Sequence, residues 1–497
     1  MSIDRRRFLT GTAVATAIAV VGFDPQHRRW ITEAEAATSP SFANVPALDG
    51  RLVMDSGTIA ANSHDEGNIV SNVPCAVLYP GSVRDIQTMI RYCGPYGIKV
   101  ATNSGKNSVF GQTLASGGLI INGRSLNTIH SITPGGADVD AGVLWMDLIK
   151  AAYPLGLTPA TVTGYTQLGI AGTLSIGGIA STTSNRLLPQ VNQIQQLEVV
   201  TGTGDIVHCS PSKNSELFSA MCAGLGQCGV ITRATVNMIP AHQFVRLYRG
   251  PYTDISALFA DIRMLANRGE RPGGFSWVGS VNAAGAILPM TLWAAVLFNQ
   301  DAPPPPTAVL MRGCSPSAQI APFVDMNYLD YVLLVDTLVD TFKATLGWDT
   351  LIKPWINMLL PDDGVEQFVG SVMPKLTLDD VSPTTFILVT PQLRSSFTRP
   401  LLRVPSPASG PWCWVFGILT NSWTPGPNPD FTQRMLARNY ALWKSASAIG
   451  GTRYLEDAVP FTKSDWQTHY GPVYPQFAAW KQRFDPYGIL APGSAIF

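Results

Sequence analysis

A stretch rich in glycine, serine and asparagine, residues 103–112, carries the residue types best suited to hold an anion. Its sequence is Asn-Ser-Gly-Lys-Asn-Ser-Val-Phe-Gly-Gln, and the pattern before it predicts a strand, a helix and a second strand. Consecutive backbone N–H groups in such a loop form a concave donor site, as in glycine-rich phosphate loops. The stretch therefore predicts a site for the pyrophosphate of a bound cofactor.

A second stretch of small residues spans 163–179 and reads Thr-Gly-Tyr-Thr-Gln-Leu-Gly-Ile-Ala-Gly-Thr-Leu-Ser-Ile-Gly-Gly-Ile. Its glycines would let a ligand approach the backbone closely, and Thr173 and Ser175 supply hydroxyl groups. Alone, such a run is equally typical of a tight loop that only turns the chain. Because it follows the first loop by about 60 residues in the same pattern of elements, we interpret it as a second wall of one cofactor site.

The elements that must position these loops alternate between strands and helices. Residues 75–79, 99–102 and 118–122 have strand patterns, and the first of them is followed by a helix with apolar residues at helical spacing. Ser82 is expected to cap that helix, with Asp85 as its capping-box partner. The order predicts an α+β fold.

The N-terminus has the pattern of an export signal. Residues 4–9 read Asp-Arg-Arg-Arg-Phe-Leu, an apolar run covers 10–23, and small residues follow at Ala34, Ala36 and Ala37. A membrane anchor is the weaker alternative, because the apolar run is shorter than the roughly 20 residues that span a bilayer. We expect residues 1–37 to be a twin-arginine signal peptide and the mature protein to be periplasmic or secreted.

Composition excludes several classes of function. The 34 basic and 34 acidic residues balance, so nothing indicates nucleic-acid binding. Hydrophobic residues make up 46% of the chain, which favours a large core or an apolar substrate cavity. After the signal no segment is apolar enough to cross a membrane, so no membrane association is expected of the mature form. The seven cysteines lack metal-ligand spacing and are interpreted mostly as buried thiols, although export would allow some to pair.

Several stretches together resemble one family. Residues 197–206, which have a hairpin pattern, together with 224–232, 354–357 and 489–497, are closely similar in sequence and order to segments of the cytokinin dehydrogenases. These are flavin oxidases related to vanillyl-alcohol oxidase, and the similarity extends from about Asp49 to the C-terminus.

The resemblance implies an FAD-binding domain made of two chain segments, with an antiparallel-sheet substrate (cap) domain inserted between them. We place the first FAD-binding segment at 45–240, the substrate domain at 241–454 and the second FAD-binding segment at 455–497.

The resemblance also assigns cofactor contacts by position. The residues that match the family's flavin contacts are Ser104, Gly105, Lys106, Asn107, Ser108, Gln112, Gly169, Gly172, Ser175, Ile179 and Ile231. Asn107 stands where the family has a histidine bonded covalently to FAD, and Tyr165 stands where the related berberine-bridge oxidases have a cysteinyl bond. FAD is therefore expected to bind noncovalently, with His130 and His469 as the alternative anchors nearest the flavin motifs.

The reacting centre departs further from the family pattern. Gly164 occupies the position of the aspartate that takes a proton from the substrate amine, and residues 273–279 lack the glutamate that holds the substrate. A glycine cannot serve as a general base, so oxidation of cytokinins by the family's mechanism is not expected. Tyr165 is a weak candidate for proton transfer, since a free phenol has a pKa of about 10.

Three other residues are given structural interpretations. His469 is expected to pack among aromatic side chains, Asp147 to lie on a solvated helix face and Asp485 to form a turn before Pro486.

The sequence thus predicts an exported FAD-dependent oxidoreductase that removes a hydride from a small, largely apolar amine or alcohol and passes electrons to oxygen or another acceptor. Two alternatives remain open. One is a flavoenzyme of secondary metabolism that performs oxidative cyclisation or oxygenation, and the other is a flavin- or ligand-binding protein that has lost catalysis.

Overall fold

The computed structural model describes residues 42, 45–179, 188–268, 290–406 and 410–497, and the backbone of 20–24, 29–32 and 272–277. The twin-arginine stretch and the predicted cleavage point at Ala37 lie outside the described residues. Strands β1 (Val20–Asp24) and β2 (Arg29–Thr32) pair in antiparallel fashion.

The first large sheet contains the predicted strands before the anion loop. Its strands are β3 (Arg51–Val53), β4 (Ala76–Tyr79), β5 (Val100–Asn103) and β6 (Leu119–Asn122). Their order is β3-β4-β6-β5, with the last three parallel, and helices α1 (Ser56–Ala61) and α2 (Val83–Tyr96) belong to the same region. The apolar face of α2 is buried with this sheet, as its helical spacing predicts.

The start of α2 differs from the capping-box prediction. Ser82 is the N-cap, but its side chain makes no capping bond and donates instead to Asp49 Oδ2 at 2.6 Å. The Asp85 carboxylate accepts from the backbone N–H groups of Asp49, Gly50 and Gly81 at 2.7–2.8 Å. Three backbone donors satisfy this buried carboxylate, so it anchors the loop before β3 rather than the helix end.

A second, antiparallel sheet follows. Its strands are β7 (Ile129–Thr133), β8 (Gly136–Asp140), β10 (Ile194–Thr201), β11 (Ile206–Cys209) and β12 (Gly229–Val236), in the order β11-β10-β12-β8-β7. The predicted hairpin is the pair β10–β11. Helices α3 (Trp145–Ala152), α4 (Ile170–Ile176) and α5 (Ser215–Met221) connect these strands, and β9 (Leu157–Pro159) pairs with β13 (Met238–Pro240).

Two four-stranded antiparallel sheets come next and adjoin where β15 lies beside β19. The third sheet has β14 (Phe244–Tyr252), β15 (Pro272–Trp277), β16 (Met290–Phe298) and β17 (Phe323–Asn327). The fourth has β18 (Ile356–Pro361), β19 (Phe386–Leu393), β20 (Trp412–Leu419) and β21 (Thr452–Arg453). The helices of this part are α6 (Ile255–Asn267), α7 (Thr307–Leu310), α8 (Pro316–Gln319), α9 (Tyr328–Val332), α10 (Leu334–Leu346), α11 (Val365–Val372) and α12 (Pro429–Ala448).

The C-terminal segment, with α13 (Lys463–Tyr470) and α14 (Tyr474–Phe484), returns to the first two sheets. Leu490 forms a parallel bridge with Val100 of β5, and Gly202 N–H donates to the Phe484 carbonyl at 2.7 Å. Asp485 ends α14 as expected of a turn residue, and its buried carboxylate also accepts from Leu490 N–H at 2.9 Å. The last residues therefore complete the region that contains the two loops.

The cysteines are thiols. All seven lie within the described residues and none forms a disulfide there, six of them being buried and Cys75 half-buried. Among the described residues no group of histidine, cysteine or acidic side chains is arranged to hold a metal, and no helix there is long and apolar enough to cross a membrane.

Candidate cofactor site and substrate cavity

One cavity of about 450 Å³ brings the two predicted loops together. All eleven residues predicted to contact the cofactor line it, as do Gly164 and Tyr165. Its volume is in the range of small-molecule and cofactor sites, about 300–1,000 Å³. Residues separated by as much as 127 positions in the sequence, from Ser104 to Ile231, thus share one binding surface.

The first loop offers backbone donors to this cavity. Lys106 has a left-handed φ of 59°, which turns the chain between Gly105 and Asn107. Within the described part of the chain, the backbone N–H groups of Gly105, Asn107 and Ser108 have no acceptor. Ser108 is buried, Asn107 is half-buried and Gly105 is exposed, and an anionic pyrophosphate would supply the acceptor that these three donors lack. The loop therefore fits a dinucleotide cofactor such as FAD.

A buried carboxylate beneath the loop holds its shape. Asp65 Oδ2 accepts from Gly111 N–H at 2.6 Å and from Ser108 Oγ at 3.0 Å, and Asp65 Oδ1 accepts from Gly67 N–H at 3.2 Å. Burial raises the pKa of Asp65 to about 7, although these hydrogen bonds oppose the rise. Asp65 was not predicted from the sequence, because it lies 43 residues before the serine that it holds.

Three polar side chains of the first loop, those of Lys106, Ser108 and Gln112, are hydrogen-bonded within the protein. The Lys106 ammonium donates to the Ala61 carbonyl, and burial lowers the pKa of Lys106. Gln112 Nε2 donates to the Asp457 carbonyl at 3.1 Å, which joins the loop to the segment after β21. The loop therefore presents to a cofactor its backbone and the side chains of Ser104 and Asn107.

The second loop packs directly against the first. A Cβ atom built on Gly169 would lie 1.9 Å from Ser104 Oγ, so the two loops can touch only because position 169 is glycine. The N–H groups of Ile170 and Ala171 donate to the carbonyls of Val143 and Ala141, at 3.0 Å each, which fixes the start of α4. At the C-terminal end of the second loop, Ile179 N–H donates to Tyr454 Oη at 3.1 Å.

The rest of the cavity is mostly apolar. Its lining from the third and fourth sheets, from α10 and from the loops beside them includes Trp293, Leu334, Val335, Leu338, Val339, Trp348, Trp355, Phe386, Leu388, Val415 and Leu419. Four of these side chains are large aromatics. The chamber thus suits a flat, largely apolar molecule.

The catalytic candidate Tyr165 keeps its proton. Burial, followed by the charge of Asp336, raises the pKa of the Tyr165 phenol above its ordinary value. Asp336 accepts from Thr166 N–H, Thr166 Oγ1 and Gln167 N–H at 2.9–3.2 Å, so it fixes the segment after Tyr165 to α10. A phenol with a raised pKa is a poor base near neutral pH.

Neither alternative histidine anchor lines the cavity. His130 lies on the second sheet and bonds to Asp140 at 2.7 Å. His469 is buried among the rings of Phe461, Trp466 and Tyr470, as expected, and burial lowers its pKa to about 3. None of the five described histidines and none of the seven cysteines lines the cavity.

Asp147 has the solvated position expected for it. Its side chain is 45% exposed, and its carboxylate lies 3.7 Å from the Arg124 guanidinium. It does not line the cavity.

Two carboxylates that were not predicted from the sequence line the cavity, those of Glu66 and Glu456. Glu66 Oε1 accepts from Trp348 Nε1 at 2.8 Å and lies 3.3 Å from the Lys353 ammonium. Glu456 Oε1 accepts from Asn357 Nδ2 at 2.8 Å. The one signal in the sequence was the pair Glu456-Asp457 within the otherwise apolar run 454–461.

Comparison with known proteins agrees with this geometry. Residues 74–210 match the family model described as FAD binding domain, and residues 307–497 match the model described as cytokinin dehydrogenase 1, FAD and cytokinin binding.

Similar proteins cover most of the chain. An oxidoreductase, ORF5 of the fasciation locus of Rhodococcoides fascians, is 34% identical over 437 residues, which is 86% of this chain and 95% of the relative. Cytokinin dehydrogenase 3 of Oryza sativa subsp. japonica is 31% identical over 92% of this chain and 93% of its own length, and cytokinin dehydrogenase 9 is 30% identical over 92% of each. The chain therefore belongs to the FAD-dependent oxidoreductase family that includes the cytokinin dehydrogenases.

Proposed function

We propose that this FAD-dependent oxidoreductase removes a hydride from a small, flat and largely apolar amine or alcohol. The observation that carries the proposal is the single cavity in which an anion-binding loop and an aromatic, mostly apolar chamber are continuous. FAD, when bound, supplies the hydride-accepting ring system. The backbone of residues 104–108 would hold its pyrophosphate, and Gly169 and Ile179 would flank it.

The domain arrangement follows the same proposal. Residues 45–240 and 455–497 would form the FAD-binding domain, which the Leu490–Val100 bridge supports. Residues 241–454, with the third and fourth sheets, would form the cap that covers the flavin ring and excludes water.

We also propose that residues 1–37 direct twin-arginine export, since a folded, FAD-loaded protein suits that route. Recovery of the protein only from the cytoplasm of its source cells would contradict this part.

A second function is favoured by one observation. Gly164, at the position of the family's catalytic aspartate, lines the cavity without a side chain. Oxidative cyclisation or oxygenation of a more acidic substrate would not need a base there. A protein that only binds flavin or ligand would also tolerate the loss.

Anaerobic reduction distinguishes these functions. The purified flavoprotein, mixed with a panel of aromatic and alkyl amines and alcohols, is expected to lose its flavin absorbance with at least one of them and to yield the imine, or its hydrolysis product, or the carbonyl. Formation of a cyclised or oxygenated product would favour the second function. A flavin that no member of either substrate class bleaches, while dithionite does, would indicate a binding protein.

FAD is expected to be released from the protein by acid precipitation. The physical reason is that no described histidine or cysteine lies where it could bond to the ring system, and that Asn107 offers only an amide. Absorbance of the supernatant and the pellet after precipitation with trichloroacetic acid is the measurement, with a covalent flavoprotein carried through in parallel. Colour retained in the pellet would contradict noncovalent binding.

A further inference from the structure

We propose that Glu456 is the catalytic base of this protein, accepting the proton that the substrate loses as its hydride leaves. This inference rests on the proposed function and adds to it the proton acceptor that Gly164 cannot be. It also assigns the substrate's acidic N–H or O–H group to the wall formed by β18 and the segment after β21.

The Glu456 carboxylate is held in position at this wall. Asn357 Nδ2 donates to Glu456 Oε1 at 2.8 Å. A Cβ atom on Gly417, across from Asn357 on β20, would lie 2.2 Å from Asn357 Oδ1, so glycine at 417 makes room for the amide. No described residue is hydrogen-bonded to Glu456 Oε2, which leaves that oxygen available to a ligand.

The other charged groups near the cavity already have partners. Lys353 is paired with Glu66, and the neighbouring Arg453 is paired with Asp457. The Lys106 ammonium is bonded to a carbonyl. Glu456 is therefore the cavity carboxylate that no cation neutralises within the described part of the chain.

The phenols that share the cavity do not compete for the proton. Burial raises the pKa of both Tyr165 and Tyr454, so both remain protonated. Burial, with the adjacent Asp457, raises the pKa of Glu456 to about 8. A base whose pKa is near the working pH combines a useful ionised fraction with a strong affinity for the proton.

In the proposed step the substrate loses one hydride and one proton. The C–H bond of the substrate breaks with both electrons, and the hydride passes to FAD, which is reduced. The N–H or O–H bond breaks, its electron pair forms the C=N or C=O bond, and its proton goes to Glu456 Oε2. Glu456 returns the proton to solvent before the next turnover, after the electron acceptor has reoxidised the flavin.

The test compares the wild type with Glu456→Gln and with Asp363→Asn, a control at an exposed carboxylate that does not line the cavity. We measure the anaerobic flavin reduction rate with the best substrate from the panel between pH 5.5 and 9.5. Because only ionised Glu456 accepts a proton, the wild-type rate should rise through about pH 8 and then level off. Glu456→Gln should be about 10²- to 10⁴-fold slower and should lose that rise, whereas Asp363→Asn should match the wild type.

A readout without substrate supports the assignment. Infrared difference spectra of the FAD-loaded protein between pH 7 and pH 9.5 should show a larger loss of the protonated carboxyl band in the wild type than in Glu456→Gln, where only Asp65 and Asp457, with pKa values of about 7, still contribute. A wild type that is reduced no faster than Glu456→Gln would overturn the inference alone. A wild type that no amine or alcohol reduces would overturn both the proposed function and the inference.

Discussion

Isopentenyladenine is expected to reduce the FAD of this protein at least about 100-fold more slowly than it reduces a genuine cytokinin dehydrogenase assayed beside it. General-base catalysis contributes about 10² to 10⁴ in rate, and position 164 has no side chain to provide it. Glu456 belongs to a different segment, after β21, and does not occupy the position of the family's base. The measurement is steady-state turnover with an artificial electron acceptor.

Restoring the carboxylate should recover part of that rate. The φ angle of Gly164 is not in the left-handed region, so its backbone accepts an aspartate. Gly164→Asp is therefore expected to raise turnover of isopentenyladenine by about 10- to 10³-fold, part of the full contribution of a base. Gly164→Asn, of the same size without the charge, is the matched control. Fast cytokinin turnover by the wild type would contradict this account of the cavity.

The local features of the site could be predicted from the sequence. The anion loop, its flanking strands β5 and β6, and the hairpin β10–β11 follow from periodicity and from glycine-rich composition over short windows. These signals depend on neighbours in the chain, so a single sequence contains them. The position of the two loops in one pattern of elements then joined them into one site, and the resemblance to a known family assigned the residues that contact the cofactor.

The features that the sequence did not predict depend on distant contacts. Asp85 was assigned to its own helix, yet it binds the loop 35 residues before it. Glu456 meets Asn357 across 99 residues, and Asp336 meets Thr166 across 170. A carboxylate satisfies whichever donors the folded chain brings to it. Its partners, and with them its pKa, therefore become known only with the fold.

The catalytic base, too, could be proposed only once the fold was known. Judged from position 164 alone, the reacting centre has lost its carboxylate, and a degenerate binding protein is a natural interpretation. The cavity nevertheless contains Glu456, on another wall and without a cation to neutralise it. The departures from the family pattern are thus consistent with a change in where the substrate's proton leaves rather than with a loss of catalysis.

Replacing Gly169 by alanine is expected to weaken FAD binding by about 5- to 150-fold, the equivalent of about 1–3 kcal/mol of overpacking. The backbone of Gly169 is extended (φ −69°, ψ 139°), so alanine fits it without strain. The new Cβ would, however, lie 1.9 Å from Ser104 Oγ and 2.6 Å from Ser104 Cβ, and would push the two loops apart.

The measurement for Gly169→Ala is the Kd of FAD for the deflavinated protein, followed by quenching of flavin fluorescence. Gly370→Ala is the control, because its Cβ would have no neighbour within 4 Å and no residue of its helix, α11, lines the cavity. Adding Ser104→Gly to Gly169→Ala removes both clashing atoms and should restore much of the affinity. If Gly169→Ala binds FAD as tightly as Gly370→Ala does, the contact between the loops does not shape the cofactor site. If the double variant stays as weak as Gly169→Ala, the loss arises from something other than the collision with Ser104.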